Sequence, residues 1–129
     1  MKDIIYTSYF SKTNWRIKKK ESTFYPISIA RYQPQPALFP SLTAFFPSAS
    51  LLNDYKRGEI DQNIYKEVFS RHLEGLNIDD IMSFVKRIST GYNNVVFLCY
   101  EKTGDFCHRV ILSEHLNKRG YNVFEYESS

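Results

Sequence analysis

Five residues able to do chemistry fall within eleven positions of this chain, namely Cys99, Glu101, Cys107, His108 and Arg109. They include both cysteines of the protein and one of its three histidines. The segment begins as an apolar run of strand length, passes through a polar turn containing a glycine, and continues as an amphipathic helix. Because ligands of open α/β sheets bind where parallel strands end, we expect the functional site at this turn.

The helix that follows the turn predicts an anion site. We expect Asp105 to cap it, and the first turn of a helix exposes unpaired N–H groups with a partial positive charge. Arg109 adds a fork that suits phosphate or carboxylate. Arg31 ends the second predicted strand and would face the same crevice if that strand neighbours the third. We therefore expect Arg31, Arg109, Cys99 and Asp105 to bind a small anionic ligand, phosphorylated or nucleotide-like.

Thiol or acid–base chemistry is predicted at Cys107, His108 and Glu101. A cysteine in the first helical turn beside His108 and Arg109 should have a lowered pKa and a reactive thiolate. Glu101 would act as base or hydrogen-bond partner, and Cys107 or His108 would carry any covalent or proton-transfer step. Cys99 ends a buried strand, which favours a small core residue or a group that supports the site from behind, since free cysteine is often buried for packing alone. An enzyme and a protein that only binds its ligand both fit these residues.

The same side chains also permit a metal site, with the cysteines, His108 and Glu101 as donors. The spacing is not a standard zinc spacing, since seven residues separate the cysteines and the adjacent Cys107 and His108 can rarely both reach one ion. Two converging arginines would in addition repel a divalent cation placed between them. We therefore expect no metal and no other cofactor.

A structural role is the remaining hypothesis. The Cys-Glu-Cys-His-Arg cluster would then be an internal polar network that locks the turn in a small regulatory or interaction protein, since buried Arg–Glu pairs with satisfied partners can do this. The exposure of Cys107 separates the two hypotheses. An open crevice favours a ligand site, and a closed packed network favours the structural role.

The order of predicted elements is typical of a compact three-layer, Rossmann-like α/β domain over residues 1–129, with a mainly parallel sheet flanked by helices. Strands are expected at 4–10, 24–31, 95–100 and 121–126, and helices at 48–55, 59–73, from 77 or 79 to about 90, and 105–119. Residues 11–22 are interpreted as a basic surface loop whose Trp15 packs on the sheet. Helical spacing predicts that the second helix buries Ile60, Ile64, Val68, Phe69 and Leu73. In the third helix it predicts burial of Ile81, Phe84, Val85 and Ile88.

Composition limits the class of protein. The chain has 129 residues, 16% aromatic content and a formal net charge of +3, an excess too small to support nucleic-acid binding without a recognised motif. There is no apolar run of membrane-spanning length and no secretory signal, so we expect no membrane partner and a cytoplasmic location. In a reducing compartment the two cysteines are expected as thiols.

The pattern of Cys99 and Glu101 followed by Cys107, His108 and Arg109 resembles the family called domain of unknown function 488, DUF488. In that family a strand ends in Cys-x-Glu and a short turn leads to Cys-His-Arg at the start of a helix. The chain is similar to the short, single-domain members. Ala30 departs from the pattern, because many relatives carry an acid before the arginine that corresponds to Arg31. The resemblance implies a compact α/β fold with its site at the Cys-His-Arg turn, and it names no activity.

Overall fold

A computed structural model of the protein describes residues 4–34, 39–101 and 106–127. Four strands and five α-helices lie in these ranges. None of these helices has the length and apolar character that a membrane span requires. Their bounds are β1 Ile4–Tyr9, α1 Trp15–Lys20, β2 Phe24–Ser28, α2 Ala49–Lys56, α3 Gln62–Glu74, α4 Ile78–Ile88, β3 Asn94–Cys99, α5 His108–Lys118 and β4 Asn122–Glu125, with a short 3₁₀ helix at Thr43–Phe45.

The strands form one sheet in the order β2-β3-β1-β4, and every strand pair among the described residues is parallel. Parallel strands place all their carboxyl ends at one edge of the sheet. This arrangement confirms the predicted α/β fold. It also confirms that the strand before Arg31 and the strand ending at Cys99 are neighbours.

Helices cover both faces of the sheet, as the three-layer prediction requires. Side chains along β3 alternate, so that Val96 and Leu98 join a small cluster with Trp15 of α1, whereas Phe97 and Cys99 join the larger core. The buried apolar residues of α2, α3, α4 and α5 all belong to that larger core. Cys99 therefore points to the face on which α5 lies.

The segment predicted as a loop at 11–22 contains a short helix, α1. Asn14 caps it by accepting a hydrogen bond from the Ile17 N–H. Trp15 is 1% exposed and donates its indole N–H to the Tyr9 carbonyl at 3.0 Å. A six-residue helix is unstable alone, so this buried tryptophan is what holds it. The prediction that Trp15 packs on the sheet is confirmed, and the prediction of a loop is wrong.

Two predicted boundaries near the site are also corrected. β2 ends at Ser28 and not at Arg31, and Ser28 then forms an isolated parallel bridge with Ser41. α5 begins at His108 with Cys107 as its N-cap residue, so Asp105 does not cap it. Asp105 itself lies outside the described residues.

The predicted buried set of α3 is confirmed at Phe69 and Leu73 and wrong at Ile64 and Val68. Its buried residues are Tyr65, Phe69 and Leu73, whereas Ile64 and Val68 are each 44% exposed. Both rows repeat at helical spacing, so periodicity alone could not choose between them. In α4 the buried residues are Ile78, Met82 and Val85, and the predicted Phe84 is 44% exposed.

Candidate functional site

Strand register assembles the floor of the site. Tyr9 of β1 lies beside Cys99 of β3, and Thr7 of β1 lies beside Glu125 of β4. Odd-numbered residues of β1 share a face with Cys99, because side chains alternate along a strand. Thr7 donates its hydroxyl to Glu125 Oε1 at 2.9 Å. A polar patch is therefore built into the face on which α5 packs.

Arg109 of α5 fills the centre of this patch and is only 1% exposed. Its Nε and Nη2 donate to the two carboxylate oxygens of Glu125, each at 3.0 Å, and its Nη1 donates to Cys99 Sγ at 2.7 Å and to the Glu101 carbonyl. The guanidinium also lies over the Tyr9 ring, 5.7 Å from its centroid. Burial acts to lower the pKa of Arg109, but Glu125 and the cysteines outweigh it and hold the pKa above its ordinary value.

The sequence predicted that Arg109 binds an anionic ligand, but the charge of Arg109 is already paired with that of Glu125. The bidentate fork with Glu125 uses the geometry that a phosphate would use. Sequence reasoning missed both Glu125 and Thr7. The available signal was an acid at 125 in a short, largely apolar strand, on the same face as Val123, because a charge on a buried face requires a partner.

Cys99, Glu101 and Cys107 converge. One ligand atom from each, the two sulfurs and a carboxylate oxygen, lies within 4.8 Å of the others. Both cysteines are buried free thiols, and Glu101 is exposed. The strand end and the helix start therefore meet as the sequence predicted, with the sulfurs inside the fold and the carboxylate at its surface.

Cys107 does not have the electrostatics predicted for a reactive thiol. It is 3% exposed, and a hydrogen bond with Cys99, followed by burial, raises its pKa well above the ordinary value. His108 acts in the opposite direction but is outweighed. The expected lowering of the Cys107 pKa is therefore wrong, because a neighbouring sulfur and loss of solvent oppose the thiolate more strongly than the helix end favours it.

His108 links the helix to the neighbouring strand end. Its Nε2 lies 2.7 Å from the Ile29 carbonyl and its Nδ1 lies 3.8 Å from Cys107 Sγ. A carbonyl can only accept, so Nε2 carries a proton and Nδ1 holds the lone pair in the neutral ring. Phe69 packs edge-on against the ring at 5.4 Å. The tautomer thus directs the basic nitrogen of His108 at the Cys107 thiol.

Arg31 follows β2 at the same sheet edge, but its described contacts are with the loop before α2. It is exposed, its Nε donates to the Pro47 carbonyl at 3.2 Å, and its guanidinium lies over the Phe46 ring. Arg31 and Arg109 therefore have different environments, one at the surface and one inside the fold.

A cavity of about 770 Å³ lies at the other edge of the sheet, beside the starts of β1, β3 and β4. Its lining includes Met82, Lys86, Tyr92 and Phe124, with no cysteine, histidine or acid among the described residues. Size alone would place a ligand there, but the residues able to do chemistry lie at the carboxyl edge. We therefore take the carboxyl edge as the site.

The fold and the site define an α/β protein with a parallel sheet and a cysteine–carboxylate cluster at the carboxyl ends of its strands. The chain belongs to the DUF488 family, because the family model described as the active DUF488-N3 subclade matches residues 18–120, most of the chain. No curated protein and no solved structure gives a significant match. The family resemblance of the Cys-Glu and Cys-His-Arg pattern is thereby confirmed.

Proposed function

We propose that this protein binds a small anionic ligand, phosphorylated or nucleotide-like, at the carboxyl edge of its sheet, and that the cysteine–carboxylate cluster acts on that ligand. The observation that carries the proposal is the state of Arg31. Its hydrogen bond to Pro47 and its contact with Phe46 hold the guanidinium in place while leaving it exposed. A fixed, exposed guanidinium binds oxyanions with little loss of side-chain entropy.

The sequence predicted that both Arg31 and Arg109 bind the anion, and we assign this role to Arg31. Arg109 is ion-paired with Glu125 and contributes by holding Cys99 and the Glu101 backbone in position. The hydrogen bond that the exposed Arg31 side chain donates to Pro47 uses Nε, so its two terminal nitrogens can donate to an anion. The anion is thus bound after β2, beside the strand that presents the cluster.

Glu101 is the group that would meet the ligand first. It is exposed, while the sulfurs behind it are buried, so it is the side chain of the cluster placed to act as base or hydrogen-bond partner. The matched family model is described as an active subclade, which supports a working site in this chain.

A thermal-shift experiment tests the proposal. Reduced protein in the presence of a chelator is heated with and without inorganic phosphate or a nucleoside mono-, di- or triphosphate. A ligand at about a hundredfold excess over its Kd stabilises the native state by about 2.7 kcal/mol and raises the melting temperature. We expect Arg31→Ala to remove the rise.

The matched control is Arg87→Ala, because Arg87 is also exposed and also lies over a phenylalanine ring, that of Phe84, but on α4. We expect the control to keep the full rise. An equal rise in the Arg31 and Arg87 variants, or no rise with any of the four compounds in the natural sequence, would overturn the proposal.

The structural polar network is the second candidate, favoured by one observation. Cys107 is buried, as a closed network requires, and each of the three nitrogens of the Arg109 guanidinium donates to a neighbouring group. If no phosphate compound shifts the melting temperature, and changes at Cys99 or Arg109 alter only stability, the network is the function of these residues.

A further inference from the structure

The donor atoms of Cys99, Glu101 and Cys107 converge, although the residues come from two different elements and the turn between them. The two sulfurs and a carboxylate oxygen lie within 4.8 Å of one another, and they come from the end of β3 and the N-cap of α5. Two thiols and one carboxylate match the donor preferences of a borderline divalent cation such as zinc.

We propose that Cys99, Cys107 and Glu101 bind one zinc-like divalent cation. The inference deepens the proposed function by giving that site a metal, and it rests on the proposed function only in placing the anionic ligand at the same edge. Three protein donors leave a fourth position for water or for an oxygen of the ligand.

The distances are within reach of a tetrahedral site. With metal–sulfur bonds of about 2.3 Å, two sulfurs on one ion lie about 3.8 Å apart. The sulfurs of Cys99 and Cys107 lie within 4.8 Å of each other, so they need to approach by no more than about 1 Å. The remaining adjustment falls on Glu101, whose side chain is exposed and can rotate towards the sulfurs. Closing the site therefore requires little movement of the buried core.

The positive guanidinium of Arg109 lies beside Cys99 and would repel a cation bound there. The structure removes much of that objection, since Glu125 pairs with Arg109 through two hydrogen bonds of 3.0 Å. Thr7 in turn holds Glu125. The N–H that Arg109 directs at Cys99 Sγ supports a thiolate there, as partners of metal ligands commonly do.

His108 is not a member of the converging set, which agrees with the difficulty of placing adjacent Cys107 and His108 on one ion. It has a different place in the site. Its Nδ1 lies 3.8 Å from Cys107 Sγ, so the ring is a neighbour of that thiol and not a fourth donor.

Cobalt(II) titration tests the inference without any anionic ligand. Protein that has been reduced and freed of metal by a chelator, and then of the chelator, is titrated with Co²⁺ and followed by absorption. We expect a single equivalent to produce thiolate-to-cobalt charge transfer and the intense visible bands of four-coordinate cobalt. Zinc should displace the cobalt and abolish both signals.

Two variants and one control identify the donors. Cys107→Ser should abolish the charge-transfer contribution of one thiolate, and Glu101→Gln should weaken binding by about tenfold or more. Glu101 is at the surface, so its variant keeps the fold even if the cysteine variant does not. The control is Glu114→Gln on α5, the helix that Cys107 precedes. The carboxylate of Glu114 is exposed and pairs with Lys66. It should bind cobalt as the natural sequence does.

The absence of thiolate charge transfer in the folded protein, or unchanged affinity in Glu101→Gln, would overturn the inference. Either result leaves the thermal response to phosphate compounds unaffected, because that response is measured with a chelator present. Conversely, loss of the Arg31-dependent response would end the proposed function while cobalt binding stood. The two failures are therefore distinguishable.

Discussion

Arg109 connects α5 to three strands through one guanidinium group. From α5 it reaches Glu125 on β4, Cys99 on β3 and the ring of Tyr9 on β1. Its side chain is 2% exposed, while that of Glu125 is 26% exposed. Removing one partner of this pair is costly, because it leaves the charge of the other unpaired away from bulk water. The pair also fixes the position of α5 on the sheet.

We expect Arg109→Ala to lower the free energy of unfolding towards the lower end of about 3–5 kcal/mol, since it leaves Glu125 without its partner in a partly buried position. The substitution therefore lowers stability, although the sequence alone presented Arg109 as a ligand-binding residue. Urea denaturation followed by circular dichroism measures the loss. The comparison is Arg57→Ala, whose ion pair with Asp54 is exposed and contributes about 0–1 kcal/mol. Equal losses in the two variants would contradict the structural role of Arg109.

α3 shows how an element selects its buried face. Two rows of apolar residues run along it, and the row with Phe69 and Leu73 is buried, whereas the row with Ile64 and Val68 is about half exposed. The buried row meets aromatic side chains next to Cys107, where Tyr65 packs against Phe106 with ring centroids 5.1 Å apart. Contact with large aromatic partners decides which row faces inwards.

One residue from each row of α3 tests which row is buried. Leu73→Ala should cost about 2–5 kcal/mol, because Leu73 is 0% exposed and its removal leaves a cavity. Val68→Ala should cost less than about 1 kcal/mol, because Val68 is 44% exposed and its surroundings are partly water. Chemical denaturation of the two variants side by side is sufficient. A larger loss at Val68 than at Leu73 would show that α3 is rotated about its axis.

The whole molecule responds to alkaline pH through Tyr65, which is 2% exposed. Burial, followed by the charges of Cys107 and Glu101, raises the pKa of Tyr65 above its ordinary value of 10.0. Above that value the unfolded chain releases a proton that the native state retains. The unfolded state then binds fewer protons, so the free energy of unfolding falls as pH rises.

We expect Tyr65→Phe to flatten this fall, which can reach about 1.4 kcal/mol per pH unit for one proton. Urea denaturation between about pH 9 and about pH 11 measures the slope in the natural sequence and the variant. The control is Tyr32→Phe, since Tyr32 is 62% exposed. The assignment fails if the slope is the same in Tyr65→Phe as in the natural sequence.

Much of the architecture follows from local sequence. Ser48 accepts a hydrogen bond from the Leu51 N–H and starts α2 where its type predicts, because the first N–H groups of a helix need an acceptor close in the chain. The apolar run before Cys99 forms a buried parallel strand for a similar reason, since both faces of that strand are covered. The convergence of Cys99, Glu101 and Cys107 was also predictable, because the three residues are close in the sequence, where a strand pattern gives way to a helix pattern.

Tertiary structure decided the electrostatics of the site. Arg109 is paired because Glu125, sixteen positions further on, returns in β4 on the same face of the sheet, and nothing local to Arg109 specifies that register. The Cys107 thiol is protonated and buried because Cys99 and the core surround it, although its place at a helix start favours the opposite. Local sequence thus determined which groups meet, and long-range packing determined which of their charges remain available to a ligand.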